Sequence, residues 1–226
     1  MKSLLATPWL QACRWGFFGV LAIGYALLSH LAATSATHDF RGALVAVTPM
    51  LGLSCLMAWR ADRRACMLSL WLAACALLYG SKDWLIAHYN WVFLLEHAGT
   101  YSVLCLGFGR TLRQGETPMI SRFASILHGG LSPALMAYTR SATWAWALYF
   151  GGVAGISGLL FWLAPVPVWS AFANLLGIPL LALMFIGEYA ARCYFLPAAD
   201  RAGPLEAIRA YRQSSSQGTA RPDHQP

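Results

Sequence analysis

Charge is what this sequence most lacks. Only 11% of its 226 residues are charged, and 58% are hydrophobic. A soluble domain carries about 25% charged residues, because polar groups must cover its surface. Lipid can cover apolar helix faces instead, so the composition points to a membrane protein. Paired cysteine motifs are missing too. Cys13, Cys55, Cys66, Cys75, Cys105 and Cys193 form no C-x-x-C pair. Four lie in or beside apolar runs, so small apolar side chains are expected, with neither a disulfide framework nor a zinc site. No Walker A loop, G-x-S-x-G elbow or H-E-x-x-H motif occurs, which excludes those routes to ATP, ester or metal-dependent peptide hydrolysis. No histidine is followed by H-x-x-x-x-D spacing either, so no common acyltransferase motif is present. No catalytic residue, metal site or cofactor is expected.

Long apolar runs are abundant. A helix crosses the roughly 30 Å hydrocarbon core with about 20 residues at about 1.5 Å rise each. Six segments fit: Trp15–Thr34, Gly42–Trp59, Ala65–Ile86, Tyr89–Gly109, Thr143–Leu163 and Trp169–Tyr189. The expected fold is therefore all-α and polytopic. Its parts are an N-terminal segment over 1–14, a membrane domain over 15–195, and a tail over 196–226 expected to be disordered from about 213. A second reading makes the first run a cleaved leader ending in Ala32-Ala33-Thr34-Ser35-Ala36, which leaves five helices.

The net charge of +7 would suit nucleic acid in a soluble protein. Here basic residues flank the apolar runs, so orientation is the better reading and no nucleic-acid partner is expected. With the N-terminus inside, only Arg41 and Lys82 of the 16 Lys and Arg residues fall outside. The excess of cytoplasmic Lys and Arg selects N-in, C-in, and a bacterial inner (cytoplasmic) membrane is the expected location. Trp15, Trp59, Trp84, Trp91, Trp144, Trp162 and Trp169 lie near span ends, where indole rings prefer the headgroup zone.

The segment between the fourth and fifth spans is amphipathic. Thr117-Pro118 reads as an N-cap followed by proline at the first helical position. Met119, Ile120, Phe123, Ile126 and Leu127 then share one face. His128-Gly129-Gly130 supplies a stop. An interfacial helix over about 118–128 on the cytoplasmic leaflet is expected. From Ser132-Pro133 a second helix runs into the fifth span.

A few polar residues interrupt the apolar runs. Ionisable groups within a membrane often mark a pathway or pocket. Glu96 and His97 in the fourth span, Asn174 in the sixth and Glu188 near its end form a candidate intramembrane site. Arg192, four residues after Glu188, shares its face and suits a local ion pair. Asp83 and His88 could join Glu96 and His97 at the outer side. Arg110, Arg113, Arg122, His128 and Arg140 form a candidate cytoplasmic surface site, suited to anionic headgroups. Structural roles compete at each position: snorkelling for Glu188, orientation for the arginines, a helix C-terminal histidine for His128. Gly151-x-x-x-Gly155 lets helices approach closely.

Several stretches carry a family likeness. They are Gly109-Arg110-Thr111-Leu112-Arg113, Gly115-Glu116-x-Pro118, Ser121-Arg122-Phe123-Ala124 and His128-Gly129-Gly130. Tyr138-Thr139-Arg140, Thr143-Trp144-Ala145-Trp146-Ala147-Leu148, Phe172-Ala173-Asn174-Leu175-Leu176, Leu183-Met184-Phe185 and Glu188-Tyr189 complete the set. Over roughly residues 91 to 190 the chain resembles an uncharacterised family of small bacterial polytopic membrane proteins. Some members are labelled "ketosynthase" or even "DNA gyrase". Their genes lie near fatty-acid-like polyketide genes, including aryl-polyene clusters. Those two labels do not fit, since both describe soluble proteins with motifs absent here. The resemblance implies an accessory role in assembling or handling a lipid-like or polyketide-like product. Its partners would be membrane lipids and the assembly enzymes or an exporter. It supplies no active residues. A small transporter or flippase using Glu96, His97 and Glu188 is a second expectation. A membrane acyl or glycosyl transferase using His128 or His97 is a third.

Overall fold

The computed structural model describes residues 8–36, 39–128 and 131–197. Among these residues all regular structure is helical. The elements are α1 (Pro8–Thr34), α2 (Phe40–Arg60), α3 (Arg64–Gly80), α4 (Lys82–Arg110), α5 (Met119–His128), α6 (Pro133–Leu163), α7 (Val166–Ser170) and α8 (Gly177–Phe195), with a π-helical turn over Ala171–Leu176 between the last two. Five stretches among them are long and apolar enough to cross a membrane: Cys13–Thr34, Phe40–Arg60, Lys82–Arg110, Pro133–Leu163 and Val166–Phe195. Their outer faces are apolar. Val20 is 71% exposed, Val103 69% and Trp162 70%, a surface that lipid fits and water does not. The chain is an all-α, multi-pass membrane protein.

The third expected span is shorter than its apolar run suggests. Helix α3 has 17 residues and ends at Gly80 rather than near Ile86. The helix ends where the backbone of Ser81 leaves helical geometry (φ −99°, ψ 19°), its hydroxyl and N–H still donating to the Leu77 carbonyl at 2.9 and 3.0 Å. Asp83 then occupies the first turn of α4, where the helix dipole favours a carboxylate. Lys82 and Asp83 thus open the next helix. The expected break survives as a kink at His88 (φ −130°, ψ 15°). Its ring is held to the Trp84 carbonyl at 2.9 Å and stacks on the Trp84 indole at 4.8 Å.

Two compact units form, Met1–Thr100 with Gly155–Pro179, and Tyr101–Ala154 with Leu180–Pro226. In the first, Ala43, Ala46, Leu85, Tyr89, Phe93 and Trp169 are buried together. Asp39 caps α2 by accepting the Gly42 N–H at 2.9 Å. A Cβ at Gly42 would lie 3.0 Å from the Tyr89 ring. Glycine there lets α2 approach α4, and the Tyr89 hydroxyl reaches the Ala32 carbonyl of α1 at 2.7 Å. In the second unit, Leu135, Trp146, Ala147 and Phe150 are buried. Phe150 stacks edge-on against Phe108, and Trp146 against Phe185 of α8. Gly151 also permits a close approach, since its Cβ would lie 3.1 Å from the Cys105 sulfur. Gly155 has open space around it, so only the first glycine of the expected pair is a contact.

Helix α5 exists as expected, but its start is made differently. Pro118 sits at the cap, its carbonyl accepting the Arg122 N–H at 3.0 Å. The first amides are satisfied by distant hydroxyls rather than by Thr117. Met119 N–H donates to Thr111 at 2.9 Å and Ile120 N–H to Thr143 at 3.2 Å. Ser121 and Thr139 share a buried hydrogen bond of 2.6 Å. The partners fall on α6 in reverse order, so α5 packs antiparallel to the opening turns of α6. Its inner face is small and polar, Ser121 and Ala124, while Phe123 and Ile126 are left exposed. The His128 side chain, Gly129, Gly130 and the tail from 198 lie outside the described residues.

Candidate functional site

Polar side chains inside the first unit join into two short chains. Ser157 of α6 is fully buried. Its hydroxyl meets His97 Nδ1 at 3.0 Å and accepts the Trp169 indole N–H at 3.1 Å. The neighbouring Ser170, also fully buried, meets His30 Nδ1 at 3.0 Å and accepts from the Asn174 amide at 3.0 Å. His97 packs edge-on to Phe172. In lipid an unsatisfied polar group is costly, so such pairs hold helices together. Asn174 lies in the π-helical turn. Pro179 follows and cannot donate to the Leu175 carbonyl, a local defect that a wider turn accommodates.

Glu96 lies apart from these chains. Tyr25 of α1 and the backbone of Met50 approach its carboxyl, while its buried Oε1 has no hydrogen-bond partner. Pro49 lies inside α2. Lacking an N–H, it leaves the Val45 carbonyl free, and the Tyr25 hydroxyl donates to that carbonyl at 3.5 Å. Ser29, one turn beyond Tyr25, is fully buried beside the Tyr25 hydroxyl. The carboxyl therefore meets donors from both helices, the Tyr25 hydroxyl of α1 and the Met50 backbone of α2. Asp83 and His88 do not join it.

Glu188 belongs to the second unit, with a different setting. The Tyr138 hydroxyl lies 3.0 Å from both its backbone carbonyl and Oε1. Arg192 closes on the carboxylate from the next turn, 2.8 Å from Oε1 and 3.0 Å from Oε2. Tyr138 and Glu188 form one part of the wall of a cavity of ≈ 580 Å³ between α6 and α8. Ala134, Ala137, Ser141, Ala142 and Ala145 line it from α6, and Met184, Gly187 and Ala191 from α8. Small residues at three- and four-residue spacing usually let helices touch. Here they line a groove beside the contacts that Tyr138 and Trp146 make with α8. Its size is that of a small-molecule site, about 300–1,000 Å³, and its character is apolar with a few convergent polar groups.

The candidate cytoplasmic arginines separate by role. Arg122 pairs with Glu116 at 2.8 Å. Arg140 donates to the Leu112 carbonyl at 3.1 Å, closing the turn after α4. Arg110 and Arg113 are exposed.

Sequence reasoning did not find Tyr138, Ser157, Ser170 or Tyr25. A signal was present: each is a hydroxyl within an apolar run, and Tyr25–Ser29 and Ser170–Asn174 recur at one-turn spacing. Among the described residues, no three His, Cys, Asp or Glu side chains gather to hold a metal.

Fold and sites together define a multi-pass α-helical membrane protein with a lipid-facing exterior, an internal polar network and an apolar groove. No protein-family model, curated protein or solved structure matches the chain.

Proposed function

We propose that this chain is a non-enzymatic accessory protein of a bacterial inner membrane that holds a lipid-like or polyketide-like product, of the aryl-polyene type, during its assembly. The observation that carries the reading is the groove between α6 and α8, apolar along its length and polar at Tyr138 and Glu188, with Arg192 holding the Glu188 carboxylate from outside the lining. An amphiphile has that same division. The sequence resemblance over roughly residues 91 to 190 points to the same product class, and to assembly enzymes or an exporter as partners.

The topology in this reading has six crossings with both ends cytoplasmic. Helix α3 serves as the sixth; its 17 residues rise about 25 Å, at the short end of what spans a bilayer. Fourteen of the 16 Lys and Arg residues then face the cytoplasm. Helix α6 starts and α8 ends on that side. The 31 residues of Pro133–Leu163 and 30 of Val166–Phe195 each exceed the hydrocarbon core by about 15 Å. The groove walls thus reach the inner headgroup zone, where a product arrives from cytoplasmic enzymes.

Deletion of the gene tests the role. Product delivery to the membrane is lost, while lysate assembly activity stays intact. Loss of lysate activity as well contradicts the accessory reading.

A second reading rests on Glu96, whose buried Oε1 has no partner. Such a group suits a small transporter that moves a cation or proton with its substrate. Glu96→Gln then abolishes transport in proteoliposomes without reducing yield. Unchanged transport in that variant excludes Glu96 from the path.

A further inference from the structure

The amphipathic helix α5 leaves one face unpartnered, and the structure identifies which charges around it are free. Its inner face is fixed. Thr111 and Thr143 hold its first two amides, and Ser121 is bonded to Thr139. The opposite face presents Phe123 and Ile126, 58% and 56% exposed. Two apolar side chains adjacent on a helix pinned in place do not turn inward to escape water. They need an apolar medium at the level of the opening turns of α6.

Four arginines surround this element, and two are engaged. Arg122 is neutralised by Glu116, and Arg140 is bound to the Leu112 carbonyl. Arg110, the last residue of α4, and Arg113 in the following turn are exposed, and their side chains make no ion pair or hydrogen bond among the described residues. The bond from Met119 N–H to Thr111 keeps the start of α5 beside that turn. Free guanidinium groups and an exposed apolar pair are thus held on one fixed scaffold.

We infer that this surface is a docking site for an anionic phospholipid. Arg110 and Arg113 take the phosphate headgroup, and Phe123 and Ile126 rest among the upper acyl carbons. Charge complementarity selects this occupant: a zwitterionic lipid satisfies the apolar pair but leaves two cations without an excess anion. Guanidinium groups also match phosphate oxygens in geometry. Each basic residue beside an anionic surface contributes about 1 kcal/mol, so two set a preference of roughly 30-fold. The inference is independent of what fills the α6–α8 groove.

Native mass spectrometry of the purified full chain, titrated with phosphatidylglycerol and phosphatidylcholine of equal chain length, tests it. The wild type should favour phosphatidylglycerol by roughly 30-fold, and Arg110→Gln/Arg113→Gln should reduce this to within about threefold. Arg122→Gln/Glu116→Gln should keep the preference, because it removes a pair of opposite charges and leaves the local net charge unchanged. Arg110→Lys/Arg113→Lys keeps the charge and should keep most of the preference, which guards against a variant that fails to fold. A wild type without preference, or a glutamine double variant that retains it in full, would overturn the assignment.

Discussion

Tyr138 and Glu188 are 50 residues apart in the chain, yet the Tyr138 hydroxyl meets both the backbone carbonyl and the carboxylate of Glu188 at 3.0 Å. One hydroxyl thereby ties α6 to α8 along the groove, while Arg192 holds the carboxylate from the next turn. Tyr138→Phe should lower stability by about 1–2 kcal/mol, and Glu188→Gln by a similar amount. Because the two share one interaction, the double variant should lose less than the sum, with a coupling of about 0.5–3 kcal/mol. Thermal unfolding in detergent of the four proteins measures this. Strict additivity would mean the pair is not coupled.

Two glycines of the same helix provide a packing test. A Cβ at Gly42 would meet the Tyr89 ring at 3.0 Å, whereas Gly52 has open space. Gly42→Ala should destabilise by about 1–3 kcal/mol through overpacking. Gly52→Ala should be neutral or stabilise by up to about 1 kcal/mol, since alanine favours helix. Melting temperatures of the two variants should therefore move in different directions or by clearly different amounts.

The Ser157 hydroxyl serves Trp169 and His97 at once. Ser157→Ala should cost about 1–3 kcal/mol, because it removes the acceptor of a fully buried indole N–H. Ser69→Ala is the control: that hydroxyl is exposed and bonds only to the Cys66 carbonyl of its own helix. Near-UV circular dichroism should report a changed tryptophan environment for the first variant and none for the second.

Loss of the cap hydroxyls should loosen α5 without unfolding the spans. In Thr143→Val the Ile120 amide loses its acceptor, and in Thr139→Val the Ser121 hydroxyl loses its partner. Hydrogen exchange at Met119–Ser121 should rise by roughly fivefold or more, the factor for about 1 kcal/mol, while amides of α4 keep their protection. Uniform loss of protection would instead make these threonines general stability residues.

The helical, membrane-spanning character was legible because it depends on composition and run length, which any order of packing preserves. The continuous helix from Pro133 to Leu163 and the amphipathic α5 were legible for a related reason, periodicity. The end of α3 was not, since the backbone turns at Ser81 within an apolar stretch that no proline interrupts. The cap of α5 was not legible either: Thr117 stands at the right spacing, yet tertiary packing brings Thr111 and Thr143 to the amides instead. Of the candidate polar residues, Glu96 and His97 adjoin in sequence but meet different partners. The groove had no sequence signature of its own. Its alanines and glycine are as common in any apolar helix, and only the tertiary placement of α6 and α8 makes them a lining.

The most direct test of the central claim, that the α6–α8 groove holds an amphiphile, is cross-linking with an acyl amphiphile carrying a photoreactive group along its chain. The protein is labelled in its membrane and the modified peptides are mapped by mass spectrometry. Labels should concentrate over Ala137–Ala145 and Met184–Ala191, and excess unlabelled amphiphile should compete them away. Labels spread evenly over all the lipid-facing helices, and indifferent to competitor, would contradict the claim.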